Sequence, residues 1–253
     1  MLRHELRRKN DPRPTRIVRV KSVLVSGAGS AIGGSLVRTL LARDDVKVFA
    51  TSRSDERLER LRDALPLERR ASLVAIVTDA GDFGEASELA AQIEMRGSID
   101  CAVAIFGRGD WTSGPLLELS PDEWRSVLDE MLTAHFAFAR AMFPILSRRP
   151  GSLFLSLGGG AAFHPMPDAG LMSIAAAGQT MLTRVLDRER GSRDPKIIEL
   201  VVNAAVESTE PHDAFRISAD DVAQVLEELI FRGKTTWSNV ETLGPLVVMN
   251  PTR

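Results

Sequence analysis

Apolar and polar positions along this chain switch repeatedly between two periods. Short β-branched runs recur, each followed by a stretch whose apolar residues return every three or four positions. Val20–Ser26 predicts a strand, and Ile32–Arg43 a helix with Leu36, Val37, Leu40 and Leu41 on one face. Val46–Ser52 predicts a second strand, and Ser54–Leu65 a helix with its Arg and Glu residues on the wet face. Ser72–Val77, Gly84–Met95 and Ile99–Phe106 continue as strand, helix and strand. Ser120-Pro121-Asp122-Glu123 then opens a long helix running through Trp124, Val127, Leu128, Met131 and Leu132 towards Phe143. Ser120 and Glu123 form a capping box, with Pro121 at the first helical position. Beyond the turn Arg149-Pro150-Gly151 come a strand at Leu153–Leu157, a helix at 171–188 and a strand at Ile197–Val202. Ser218 and Asp221 read as another capping box before Val222–Ile230, and Leu246–Met249 is a last short strand. Alternation at this spacing predicts an α/β fold: one doubly wound parallel sheet with helices on both faces.

The junction of the first strand and helix carries the sharpest signal. Val23-Leu24-Val25 runs into Ser26-Gly27-Ala28-Gly29-Ser30-Ala31-Ile32-Gly33-Gly34. Gly27 can adopt backbone angles closed to other residues, and Gly33 lets helix and strand approach closely. A helix N-terminus behind such a turn aims its free N–H groups at an anion, so this is a candidate diphosphate site.

Composition narrows the picture. The 253 residues fit one α/β domain, which we place at 20–253 behind a basic, polar leader at 1–19. A net charge of −2 gives no argument for nucleic acid or an anionic membrane. No stretch approaches the roughly 18 apolar residues of a membrane span, and the leader has no apolar signal core. One cysteine, Cys101, excludes an intrachain disulfide and fits a reducing, cytoplasmic setting. Its apolar neighbours predict a buried, inert thiol. No His, Cys and Asp cluster has metal-ligand spacing.

Order and spacing over about residues 20–250 resemble the short-chain dehydrogenase/reductase superfamily, whose opening motif is Thr-Gly-x-x-x-Gly-x-Gly. Here Ser26 takes the threonine place, Gly27 and Gly33 match, and Ala31 replaces the middle glycine. The resemblance implies a Rossmann-like sheet and a nicotinamide cofactor. It makes Ser26, Gly27, Ser30, Ala31, Ile32 and Gly33 the candidates for the diphosphate end. At the end of the second strand, NAD-preferring members resemble one another in an acid near Ser52. This chain has Ser52 followed by Arg53, which suits a 2′-phosphate and therefore NADP(H). Asp79 falls near the adenine place. Phe106 and Gly107 close the fourth strand, where only the glycine of the family's Asn-Asn-Ala-Gly remains. Val206 and Ser208 fit the loop over the nicotinamide, Pro-Gly-Pro-Val-x-Thr, which here reads Asn203-Ala204-Ala205-Val206-Glu207-Ser208.

The resemblance also implies a proton-transfer tetrad of Asn, Ser, Tyr and Lys, and this chain departs from it at every position. Met131 stands in the asparagine place, Gly158 in the serine place with Ser156 two residues early, Met172 in the tyrosine place and Ala176 in the lysine place. The chain contains no tyrosine at all, so no change of register restores that acid. No residue is therefore assigned a catalytic role from sequence. His164 and Asp168, in the loop before the helix of Met172, are the candidates for substitute acid and orienter. His135 reads as a core or interface histidine, and Asp110 and Trp111 as the tip of a loop over the cleft. The resulting expectation is an NADP(H)-binding protein without standard dehydrogenase chemistry, in a ligand-sensing, scaffold or non-redox role. The alternative is an oxidoreductase with an unorthodox proton donor. Family likeness further implies a homodimer or tetramer through the helices at 121–146 and 171–188. Ala175, Ala176, Ala177 and Gly178 would allow close approach, and Phe136, Phe138, Met142 and Phe143 would supply apolar area.

Overall fold

The structure, a computed structural model, describes residues 21–107, 114–207 and 216–251. Strands β1 (Lys21–Val25), β2 (Val46–Ser52), β3 (Leu73–Val77), β4 (Cys101–Ala104), β5 (Leu153–Gly159) and β6 (Lys196–Val202) alternate with helices as the pattern predicts. The intervening helices are α1 (Ala31–Leu41), α2 (Asp55–Asp63), the single turn α3 (Leu67–Arg70), α4 (Phe83–Arg96), α5 (Pro121–Leu128), α6 (Ala134–Leu146) and α7 (Gly170–Glu189). A short parallel pair, β7 (Ala205–Glu207) and β8 (Arg216–Ser218), leads into α8 (Ala219–Arg232), β9 (Val240–Leu243) and β10 (Leu246–Met249). The main sheet runs β3-β2-β1-β4-β5-β6-β10-β9. Chain order reverses between β1 and β4, which is where a doubly wound sheet opens a crevice at its strand ends.

The sheet is parallel except at its edge, where β9 pairs antiparallel with β10. The sequence reading missed β9, because an exposed edge strand buries neither face and so carries no apolar period. The signal that was present is Gly244-Pro245. Gly244, at φ 67°, and Pro245 form the two-residue loop between paired Leu243 and Leu246.

Alternating strand residues feed two cores. Val23, Val25, Val48 and Val103 point to the side covered by α1, α2 and α8. Leu24, Phe49, Ala102 and Phe154 point to the side of α4 and α6. The long helix has the full capping box: the Ser120 hydroxyl accepts from the Glu123 amide at 3.2 Å, and Glu123 accepts from the Ser120 amide at 2.8 Å. Bonding from the Ser120 hydroxyl and then its amide to the carboxylate holds the Glu123 carboxyl below its ordinary range. Asp129–Thr133 forms a π-helical turn that divides α5 from α6. At α8, Ser218 accepts from the Asp221 amide at 3.0 Å. Among the described residues no helix is long and apolar enough to cross a membrane.

Candidate functional site

The glycine turn is built by close approaches. Gly27 sits at φ 65°, and a Cβ there would lie 2.2 Å from the Ile105 carbonyl oxygen. A Cβ on Gly33 would lie 2.2 Å from the Gly27 carbonyl oxygen, so helix and turn touch only because both side chains are missing. Ser30 caps α1, accepting from the Gly33 amide at 3.0 Å and donating to the Gly27 carbonyl at 2.8 Å. The Gly34 amide also bonds back to Ser30, leaving those of Ala31 and Ile32 as the helix-start donors for a ligand.

Ser26 corrects an expectation. Its hydroxyl donates to the Val103 carbonyl at 3.1 Å and accepts from the Ile105 amide at 2.9 Å, and the residue is wholly buried. It ties β1 to β4 and is not free to touch a ligand.

A cleft of about 910 Å³ opens over the ends of β1, β2 and β4. Gly27, Ser30, Ser52, Arg53, Asp79, Phe106 and Gly107 line it. Gly33, Ile32 and Val206 do not. Gly33 is buried behind the turn, and the Ile32 and Val206 side chains lean on the core beneath. The Ala31 side chain is outside the cleft too, which leaves only its amide to contribute. Ser208 lies outside the described residues, as do Asp110 and Trp111.

One end of the cleft is cationic. Arg57 and Arg60 join Arg53 there, and the sequence reading overlooked both. Their mutual i, i+3 spacing was the available signal, since α2 presents such positions on one face just after Arg53. Arg53 lies 3.8 Å from Asp79, with the arginine side chain largely in water and the aspartate half-buried. Asp79 also accepts from the Gly81 amide at 3.0 Å, so it shapes its own loop as well as facing the arginine. Ser52 accepts from the Ser54 amide at 3.1 Å, tightening the exit of β2. A Cβ on Gly29 would meet the Ser52 hydroxyl at 2.7 Å and Arg57 Cδ at 3.0 Å. The glycine turn thus lies directly against the arginine end, and no carboxylate closes β2. These residues fit a phosphorylated nucleotide.

The other half of the crevice has a different character. Met131 and Met172 pack together with Val127, Leu171 and Ala175 in one buried apolar cluster. Ala176 is buried beside them. Three of the places where the resemblance implies polar groups are therefore filled with hydrocarbon. The π turn leaves the Met131 carbonyl to His135, whose Nδ1 bonds it. His135 is buried, as a core histidine, and its Nε2 has no hydrogen-bond partner among the described residues. Burial lowers its pKa to about 4 against the opposing pull of the Met131 and Leu157 carbonyls, so the ring is neutral at neutral pH. His164 and Asp168 are exposed on the loop between β5 and α7, with Asp168 at φ 62°. Cys101 is buried, and desolvation raises its pKa, as an inert thiol requires.

The fourth place, Gly158, faces a carboxyl that the sequence reading did not single out. Glu199 on β6 is wholly buried. Its Oε1 accepts from the Thr180 hydroxyl at 3.1 Å and the Gln179 amide at 3.3 Å. Gln179 also donates to the Leu157 carbonyl at 2.9 Å. Glu199 Oε2 has no partner among the described residues. Burial raises the Glu199 pKa to about 7, although the Thr183 and Thr180 hydroxyls pull the other way. The available signal was one acid inside the otherwise apolar run Ile197–Val202.

Comparison with known proteins agrees with this geometry. The family model for short chain dehydrogenases matches residues 21–210. An uncharacterized oxidoreductase of Staphylococcus aureus is 23% identical over 231 residues, which cover 89% of this chain and 97% of that protein. A metagenomic short-chain oxidoreductase solved in complex with NADP superposes with a TM-score of 0.74 at 21% identity, covering 93% of this chain and 99% of that one. A short-chain oxidoreductase from Pseudomonas aeruginosa, described as NADPH-bound and as containing an atypical catalytic center, gives a TM-score of 0.77 at 20% identity over 90% and 95%. With a matching model over most of its length and the fold and crevice to go with it, the chain belongs to the short-chain dehydrogenase family.

Proposed function

We propose that this protein binds NADP(H) in the cleft over β1, β2 and β4 and does not carry out the family's tyrosine–lysine carbonyl and alcohol chemistry. The cationic end carries the cofactor reading: Arg53, Arg57 and Arg60 line the cleft where Ser52 leaves no acid to hold ribose hydroxyls. Gly27, Ser30 and the amides of Ala31 and Ile32 would hold the diphosphate, and the arginines the 2′-phosphate. Bound there, the nicotinamide would supply a hydride, and the chain would supply binding and orientation. The NADP- and NADPH-bound structures of similar fold support this choice of nucleotide. Affinity should be modest for the family, because Ala176 offers no ammonium to the nicotinamide ribose. Calorimetry with NADPH and NADH on the same preparation tests the reading. Tighter binding of NADPH is expected, and equal affinities would overturn the assignment of the arginines.

The apolar cluster of Met131 and Met172 supports a ligand-sensing, scaffold or non-redox role. A second reading, an oxidoreductase with an unorthodox proton donor, draws its support from Glu199, a titratable side chain that reaches the Gly158 place.

The protein acts as a homo-oligomer in this reading. Ala175, Ala176, Phe138 and Met142 are already buried within the chain. Phe136, Ile174, Met181 and Val185 form the apolar face that α6 and α7 leave exposed. Light scattering should give a multiple of 27.6 kDa, and Met181→Glu should shift the protein towards that single-chain mass.

A further inference from the structure

We propose that Glu199 is held as a neutral acid in this centre: a carboxyl admitted by Gly158 into the space a serine side chain would take, with its proton on Oε2. The assignment deepens the reading above, in which no tyrosine moves a proton.

The geometry is directional. Glu199 pairs in register with Ser156, whereas Gly158 pairs with Val201, nearer the strand ends. Yet the carboxyl ends beside Gly158, where a Cβ would lie 2.3 Å from Oε1 and 3.2 Å from Cδ. The side chain therefore starts beside Ser156 and runs towards the edge of the sheet where a doubly wound fold binds its ligands. Any residue with a Cβ at position 158 would displace it, so the glycine and the glutamate are complementary.

The hydrogen bonds place the proton. Thr180 and Gln179 both donate to Oε1, the pattern that suits a carbonyl oxygen. Oε2, buried and unpartnered among the described residues, is left as the hydroxyl. Among the described residues, the elements packed around the carboxyl bring no charge of opposite sign. α7 contributes Gln179, Thr180 and Thr183, β5 contributes Gly158 and the Leu157 carbonyl, and no charged group is among the causes that set the Glu199 ionisation. On α6, His135 approaches the same Leu157 carbonyl and is neutral at neutral pH. An isolated buried carboxylate is costly, so the neutral acid is the form that fits this pocket.

The test uses nucleotide-free protein, so it can fail while the NADP(H) reading holds, and the reverse. Infrared titration of the wild type should show a protonated carboxyl band that disappears with a midpoint near pH 7 and is missing from Glu199→Gln. Denaturation midpoints of wild type and Glu199→Gln should diverge as pH rises from 5 to 8, with the glutamine variant the more stable at the upper end. Gly158→Ala should lower the midpoint strongly in the wild type and clearly less in a Glu199→Ala background, where the carboxyl is gone. Loss of the infrared band in the ordinary carboxylate range would overturn the assignment, even if Glu199→Gln fails to fold. Parallel pH profiles, or an equal cost of Gly158→Ala in both backgrounds, would overturn it as well.

Discussion

The two halves of the crevice share a sheet and differ in almost everything else. Over β1, β2 and β4 the surface is open and polar, and it is shaped by backbone, with Gly27 and Gly33 in near contact and Ser30 capping α1. Over β5, α7 and β6 the corresponding space is filled from within. Met131 and Met172 make it apolar, and Glu199 adds a single buried acid. The first half depends on where amides and glycines lie, which many sequences can satisfy. The second half depends on particular titratable side chains, and substitution there changes the chemistry without disturbing the fold. In the reading proposed above, the family fold keeps a nucleotide cleft while its reaction centre is rebuilt.

The largest effect that can break this comparison is on turnover. A positioned general acid or base contributes about 10²–10⁴ in rate, and the tyrosine and lysine places hold Met172 and Ala176. NADPH oxidation with standard ketone substrates should stay at the buffer rate. Robust turnover would mean that the filled half is active after all. Its loss in His164→Ala would then identify the exposed loop as the donor, and its loss in Glu199→Gln the buried acid.

The next effect concerns stability and pH. The Glu199 pKa is raised from an ordinary 4.5 to about 7. Between those values the folded protein holds a proton that the unfolded chain has released. The stability this contributes is complete below pH 4.5 and is lost as pH rises through 7. At about 1.4 kcal/mol per pH unit, the wild type should lose roughly 3 kcal/mol relative to Glu199→Gln across that window. His135 acts with the opposite sign. Its pKa is depressed from 6.5 to about 4, so its neutral burial costs stability as pH falls through that range. Urea denaturation of the wild type and Glu199→Gln at pH 5, 7 and 8.5 separates the two, because the glutamine variant loses the glutamate effect and keeps the histidine one.

Legibility in the sequence followed the same division. Strand β2 and strand β10 were read to the residue, since buried parallel strands announce themselves as apolar runs between turns. The turn at Gly27 was legible because its glycines are required by distances of about 2 Å to carbonyl oxygens. Arg57 was not recognised, because an arginine on a polar helix looks like any solvated one until the fold turns it towards Gly29. Glu199 was missed for a related reason. Its partners Gln179 and Thr180 lie on α7, and only the packing of α7 on β5 and β6 brings them to it. Ser26 shows the converse error, since its motif position suggested a ligand contact while its hydroxyl serves β4.

The smallest predicted effect bears on the cationic end. Arg53 is 71% exposed and faces Asp79 at 3.8 Å, so its charge is screened by water and partly offset by that carboxylate. Arg53→Ala should therefore weaken NADPH binding only about tenfold, equivalent to about 1.4 kcal/mol, and leave NADH nearly unchanged. Arg57→Ala should act in the same direction, because Arg57 lines the same end and packs where the glycine turn comes closest. Both effects should shrink as ionic strength rises, since exposed charges more than about 8 Å apart are largely screened at physiological salt. Asp79→Asn removes the competing carboxylate and should move NADPH affinity the other way. If calorimetry found the alanine variants and the wild type indistinguishable at low salt, the contrast between an anion-binding half and a refilled half would lose its first member, and the cleft would have to be read without a phosphate.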